Sequence, residues 1–149
     1  MYPLGHISMA YFMVKLVQKF SKGKFNIYFM FIFSLLPDID FIISVVRHRG
    51  ITHSLFALLF VSIILLRFNY KESFFYVVTY FSHIFADLIT ANGVLLYAPL
   101  STRFIILRAL YIPSKYLFWV EVTLFLMFLI ALLFTGDYRK VWMDSEEFL

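Results

Sequence analysis

The chain has 149 residues, of which 62% are hydrophobic and 15% charged, and its formal net charge is +4. This composition is too apolar and too poor in charge for an ordinary soluble domain, and the length allows a single domain over residues 1–149. Cysteine is absent, which excludes disulfides and thiolate ligands. The basic residues lie between apolar stretches, which favours membrane lipid over nucleic acid as a partner.

Apolar periodicity predicts five helical segments, and the predicted fold class is therefore all-α, a small polytopic membrane bundle of four to five helices. The fifth segment is the strongest candidate span, because about 20 apolar residues cross a bilayer. Segments one and three are short, so we expect them to tilt or to insert only in part. Pro37 interrupts the second segment, since proline cannot donate a backbone hydrogen bond. The predicted segments are 4–20, 25–46, 51–66, 72–90 and 114–134.

All four histidines lie in or beside short polar motifs of this otherwise apolar chain. If the segments cross the membrane alternately, these motifs meet at one face. Ionisable groups are costly to bury, and converging imidazoles and carboxylates most often bind a metal ion. The predicted metal ligands are His6, Asp38, Asp40, His48, His53, His83 and Asp87.

Structural alternatives exist for each motif. Asp38 and Asp40 can stabilise a helix start after Pro37, and His83 with Asp87, spaced i,i+4, can form a buried hydrogen-bonded pair. Thr52 can cap the third helix, with His53 in its first turn. His6 and His48 fit a ligand role and an ordinary helix or loop role equally well. We expect the aromatic stripes, including Phe128, to contact lipid and to take no part in binding a cofactor.

Three residues are predicted to act in catalysis. Asp40 can serve as a general base if it is not a ligand. Arg49 lies on the same face as Arg47, Arg103 and Arg108, and guanidinium groups bind phosphate through paired hydrogen bonds. Glu121 lies within the fifth segment, and an intramembrane carboxylate is a functional candidate by default.

The motifs resemble those of the YdjM-like family of small membrane-bound, metal-dependent hydrolases. The resemblance rests on LLPDID (35–40), HRGITHSL (48–55) and SHIFADLITANGVLLYAP (82–99), with a histidine near position 6. It implies a metal-dependent hydrolase but names no substrate. This chain has Gly5 where we would expect a threonine. The order of histidines and aspartates is also similar to part of the ligand order in zinc-dependent phospholipase C and single-strand-specific zinc nucleases, which have more histidines than this chain.

We therefore expect hydrolysis of a phosphoester on a lipid or other amphiphile by a metal-activated water. The metal is expected to be zinc, with manganese or iron as alternatives, in one or two ions. A metal-ion or proton transporter is the alternative function, although ligands gathered at one end without internal repeats favour an enzyme. A non-catalytic membrane protein with a structural metal site is a third possibility.

The distribution of basic residues predicts the orientation in the membrane. Eight lysines and arginines fall on the side opposite the polar motifs, and five fall on the side of the motifs. Positive residues favour the cytoplasmic side. We therefore expect a multi-pass cell-membrane protein with the motifs facing outward and the C-terminus in the cytoplasm. The N-terminus has no basic region followed by a cleavage site, so we expect no removable signal peptide.

Overall fold

The structure is a computed structural model, and it describes residues 1–21, 23–41, 48–67 and 70–137. These residues form five α-helices, as predicted, and no β-strand beyond isolated bridges. The end of the predicted second segment (42–46) lies outside the described residues, as do Lys22, Arg47, Arg139 and Lys140. The helices are α1 (Pro3–Gln18), α2 (Ile27–Leu35), α3 (Leu55–Leu66), α4 (Tyr70–Leu88) and α5 (Ser114–Thr135).

Helix ends differ from the prediction at the polar motifs. Helix α2 ends at Leu35, and the chain continues as a 3₁₀ helix, Leu36–Phe41, which contains Pro37. Proline lacks the N–H that an α-helix needs, which accounts for the change. A second 3₁₀ helix, Ile51–His53, precedes α3. The N-cap of α3 is Ser54, whose hydroxyl accepts from the backbone N–H of Ala57 at 3.2 Å, so the structural alternative in which Thr52 caps this helix is wrong.

Helix α4 is at the centre of the bundle and packs against α1, α2 and α3. One core lies where α1, α2, α4 and α5 meet, and it includes Tyr11, Met30 and Phe75. A smaller core around Tyr80 and Ile84 joins α4 to α3. Phe128 is 4% exposed and its ring meets Tyr11 edge to face, so the expectation that it contacts lipid is wrong.

Hydrogen bonds between elements, and one stacked pair of histidine rings, give the relative directions of the helices. The start of α2 contacts the first half of α4 and the end of α2 contacts its second half, so these helices run parallel. Helices α1 and α5 are parallel by the same criterion, and α1 and α3 run opposite to α4. This alternation of direction is the one that brings the polar motifs to one end. The pairs are Asn26–Tyr76, Ser34–His83, Tyr2–Glu121, Tyr11–Thr135, His6–His83 and Leu65–Ser73.

Among the described residues, α5 is the one helix long and apolar enough to span a bilayer, with 22 residues. Helix α3 is apolar but has 12 residues, or about 18 Å at helical rise, against a hydrocarbon core of about 30 Å. One span is therefore supported by length and composition, and the predicted repeated crossing is not established.

The segment after α4 folds back over the loop that carries His48 and Arg49. Gly93 has a φ of 61°, and Val94 and Ile105 exchange backbone hydrogen bonds of 3.1 and 2.8 Å. The backbone N–H of Leu95 donates to the carbonyl of Arg49 at 3.1 Å, which fixes the loop beside α4.

We predict that Gly93→Ala destabilises the protein more than Gly136→Ala does. Both glycines have positive φ, but a Cβ at position 93 would lie 2.4 Å from the carbonyl oxygen of Ile105, whereas one at position 136 meets nothing within 4 Å. Left-handed backbone alone costs about 1–2 kcal/mol, and the additional clash should raise the loss at position 93 to about 3 kcal/mol or more. Thermal unfolding in detergent measures both losses, and equal losses would contradict the role assigned to the close approach.

Candidate metal centre

Four elements bring the polar motifs together at one end of the bundle. Helix α1 supplies His6, the first 3₁₀ helix supplies Asp38 and Asp40, the second supplies His53, and α4 supplies His83 with Asp87 one turn later. His6, His53, His83 and Asp87 are completely buried. The structure thus brings together residues that are separated by up to 81 positions along the chain, from His6 to Asp87.

The two imidazoles at the centre face each other through Nε2, with 3.0 Å between the two nitrogens. Nδ1 of His83 lies 2.6 Å from the backbone carbonyl of Ser34. A carbonyl oxygen only accepts hydrogen bonds, so Nδ1 carries the proton and Nε2 of the neutral ring presents a lone pair.

The same reasoning applies to His53. The hydroxyl of Thr52 donates to Oδ2 of Asp40 at 2.7 Å, so its oxygen is left to accept from Nδ1 of His53 at 3.1 Å. Nδ1 of His53 also lies 3.3 Å from Oδ2 of Asp40. Nδ1 of His53 therefore carries a proton, and its Nε2 presents a lone pair when the ring is neutral. With both rings neutral, two lone pairs face each other at 3.0 Å, and a shared proton or a metal ion would stabilise this arrangement.

Two carboxylates complete a set of four donor atoms. Oδ1 of Asp38 lies 3.4 Å from Nε2 of both His53 and His83. Oδ2 of Asp87 lies 3.5 Å from Nε2 of His53 and 3.9 Å from that of His83, and it is buried without a hydrogen-bond partner. Ligands about 2.0–2.1 Å from a tetrahedral ion are about 3.3 Å apart. The spacing of Asp38, His53 and His83 fits one divalent ion, and Asp87 lies within 3.9 Å of both imidazole nitrogens.

Asp40 lies behind His53, on the side away from the facing nitrogens. Its carboxylate accepts from the backbone N–H of Arg49 at 3.0 Å, from Thr52, and from Nδ1 of His48 at 2.9 Å. Burial alone would raise the pKa of Asp40, but hydrogen bonds from His53, His48 and Thr52 outweigh it and hold that pKa below its ordinary value. An ionised carboxylate that receives the N–H of a ligand imidazole fixes its orientation.

His6 and His48 occupy the edges of the site. The His6 ring stacks on that of His83 with 3.6 Å between centroids, and its Nε2 lies 3.6 Å from Oδ1 of Asp87. That nitrogen also donates to the carbonyl of Met1 at 3.2 Å, and the Met1 amine contacts Oδ1 of Asp87. His48 is exposed and groups with Asp38 and Asp40.

Three groupings of described residues have donor atoms close enough to hold a metal ion. The grouping of Asp38, His53 and His83 lies at the centre of the site, and Asp87 lies beside both of its imidazole nitrogens. The other two share residues with it. The groupings are Asp38–His53–His83, His6–His83–Asp87 and Asp38–Asp40–His48.

Two of the residues predicted to act in catalysis lie outside these groupings. Nη2 of Arg49 pairs with Oδ1 of Asp87 at 3.1 Å, and Nη1 donates to the hydroxyl of Thr90 at 3.1 Å. The guanidinium therefore supports Asp87. Glu121 accepts from the backbone N–H of Tyr2 at 2.9 Å and is in none of the groupings. Arg103 and Arg108, which were predicted to lie on the same face as Arg49, are exposed.

Sequence reasoning missed the parts of the site that orient its histidines. Thr52 connects Asp40 to His53, and the carbonyl of Ser34 fixes the ring of His83. The hydroxyl of Tyr80 donates to the carbonyl of Thr52 at 2.5 Å and holds that turn against α4. A threonine immediately before a ligand histidine was a visible signal, but it was interpreted as a helix cap. A backbone carbonyl leaves no signal in sequence.

Comparison with known families matches the chain to the YdjM inner membrane protein family over residues 1–143. The chain belongs to this family. The predicted resemblance is confirmed, and the YdjM family description supports a membrane location, in agreement with α5 as a candidate span. A search of curated proteins and a search of solved structures each returned no match.

We predict that Asp40→Asn weakens metal binding about 10–100-fold, the usual effect of losing a carboxylate that orients a ligand histidine. His53→Ala and Asp87→Ala should remove tight binding altogether, because each deletes a donor atom. Equilibrium dialysis against Zn²⁺ in detergent measures these affinities. Ser62→Ala is the control, since that hydroxyl bonds only within α3, to the carbonyl of Leu58. If Asp40→Asn lost metal as completely as His53→Ala, Asp40 would be a ligand.

Proposed function

We propose that this YdjM-family protein is a membrane-bound, metal-dependent hydrolase of a phosphoester on a lipid or other amphiphile. The observation that supports it most strongly is the pair of buried imidazole Nε2 atoms 3.0 Å apart, with carboxylate oxygens of Asp38 and Asp87 beside both. A divalent cation would bind both neutral imidazoles, and the two carboxylates would supply negative charge to balance it.

The donor set supports a first-row divalent ion. Two imidazole nitrogens and two carboxylate oxygens suit zinc, and they also suit manganese and iron. Such an ion would supply acidification of a water molecule and polarisation of the ester oxygen. In hydrolysis the oxygen of water bonds to phosphorus, the bond from phosphorus to the ester oxygen breaks, and the departing alkoxide takes a proton to become an alcohol.

The residues of the chain would divide this work by their position. The side chain of Asp38 is 25% exposed, whereas those of His53, His83 and Asp87 are at most 1% exposed. Water and substrate would therefore reach the centre beside Asp38. With His53, His83 and Asp87 holding the ion, a fourth position would be open to water there, and Asp38 would receive the proton of the attacking water instead of acting as a ligand. Asp40 and Thr52 would hold His53, and Arg49 would hold Asp87.

The surroundings of Asp38 favour an amphiphilic substrate. Ile39 is 42% exposed, Phe41 77% and Ile51 48%. Large apolar side chains around the open edge of a polar site suit contact with acyl chains, while the ionised groups beside them suit a headgroup. Exposed arginines at the same end, Arg103 and Arg108, can attract a phosphate.

We predict that the purified protein in lipid or detergent, loaded with Zn²⁺ or Mn²⁺, releases phosphate or a phosphorylated product from a panel of phospholipids and nucleotides. Chelator should abolish the release, and His53→Ala, His83→Ala and Asp87→Ala should each lower it to the background of metal-free protein. Ser62→Ala should retain it. If metal-loaded protein cleaves nothing in the panel but carries metal ions into sealed vesicles, the protein is a transporter and the hydrolase proposal is wrong.

We also propose that the metal centre opens on the outer face of the membrane, because the sequence assigns eight of the thirteen basic residues to the side opposite the polar motifs. The chain has no cysteine, so single-cysteine variants can be labelled without background. A cysteine at exposed Thr102 should react with an impermeant maleimide in intact cells, and one at exposed Lys24 should react only after the membrane is permeabilised. The reverse pattern would invert the orientation.

A further inference from the structure

A pocket of about 430 Å³ lies between the start of α1 and α5, and none of its lining residues belongs to the three metal groupings. Its walls are almost entirely apolar, and Glu121 is the one carboxylate that lines it. Pockets of this size hold small ligands. The apolar side chains that define it are Leu4, Phe118, Val122, Phe125 and Leu126.

Glu121 is held in this pocket by close packing. It is 5% exposed, and its Oε1 accepts from the backbone N–H of Tyr2 at 2.9 Å. A Cβ at Gly5 would lie 3.0 Å from Cγ of Glu121 and 3.1 Å from its Cδ, so a larger residue at position 5 would press on this side chain. The glycine found where a threonine was expected thus leaves room for the carboxylate.

The pocket lies at the level expected for lipid headgroups. Tyr116 is 52% exposed and Trp119 67%, and both precede Glu121 by less than two turns of α5. Exposed tyrosine and tryptophan at the end of a candidate span mark the boundary between headgroups and acyl chains. Glu121 therefore lies just below that boundary, with the apolar part of the pocket continuing along α5 toward the hydrocarbon.

We propose that this pocket binds an aminolipid, with one alkyl chain along α5 and a primary ammonium paired with Glu121. An apolar pocket that opens toward acyl chains is complementary to an alkyl chain. A carboxylate at the inner edge is complementary to a cation, and a primary ammonium can also donate hydrogen bonds to it. This ligand site shares no residue with the metal groupings, so its test does not depend on the hydrolase proposal.

The test compares two single-chain lipids that carry the same chain and the same formal charges. Lysophosphatidylethanolamine has a primary ammonium that donates hydrogen bonds, and lysophosphatidylcholine has a trimethylammonium that donates none. Each carries a photoactivatable diazirine in its chain and is added to the purified protein in detergent. Peptide mass spectrometry then locates and quantifies the crosslinks.

We expect crosslinks concentrated within residues 118–126, about tenfold more with the ethanolamine lipid than with the choline lipid, which corresponds to about 1.4 kcal/mol. Glu121→Gln can still accept from Tyr2, and it should abolish the preference. Val122→Trp and Leu126→Trp fill the pocket and should remove the crosslinks. Met127→Trp changes an exposed residue that does not line the pocket and should leave them unchanged.

Crosslinks spread evenly over the exposed faces of α3 and α5 would overturn the proposal, as would equal crosslinking by the two lipids in the unmodified protein. Gel filtration and thermal unfolding in detergent show whether each variant is folded. Because Glu121→Gln and the two tryptophan variants alter the pocket in different ways, loss of one variant to misfolding leaves the others decisive.

Discussion

The close approach of the Nε2 atoms of His53 and His83 is the constraint on which the rest of the site depends. The Nδ1 atom of each ring is held by a hydrogen-bond acceptor on the opposite side. The acceptor is the carbonyl of Ser34 for His83, and the hydroxyl of Thr52 with the carboxylate of Asp40 for His53. Neither ring can turn without losing a buried hydrogen bond, which is costly in an apolar interior. The two Nε2 atoms are therefore held facing each other by the fold, where a shared proton or a metal ion would join them.

The helices and the two 3₁₀ helices set the relative positions of these groups. Helix α4 carries His83 and Asp87 on one face because residues four apart are neighbours on a helix. Pro37 converts the end of α2 into a 3₁₀ helix, which brings Asp38 and Asp40 to opposite sides of His53. Arg49 links the two halves of the site, because its backbone N–H binds Asp40 while its guanidinium binds Asp87.

The helices and the gathering of motifs were predictable because they follow from local rules. Apolar periodicity gives helix positions, and alternating direction brings His53 and His83 to one end. Side-chain orientation was not predictable in the same way. Asp38 and Asp40 are two residues apart in the sequence, yet Asp38 lies at Nε2 of His53 and Asp40 at Nδ1. Phe128 is buried because Tyr11 packs against it. Such outcomes depend on tertiary contacts, which no periodicity in the sequence records.

The burial of the donors has a consequence for the kinetics of metal exchange. Asp38 is the one donor of the four with an exposed side chain, so an ion that enters or leaves must pass it. Exchange would then require Asp38 to release the ion before the buried nitrogens do, and the neighbouring apolar side chains slow the arrival of water that would replace them. A metal ion bound here would therefore leave slowly, and it would enter most easily while the first 3₁₀ helix is still docking against α4.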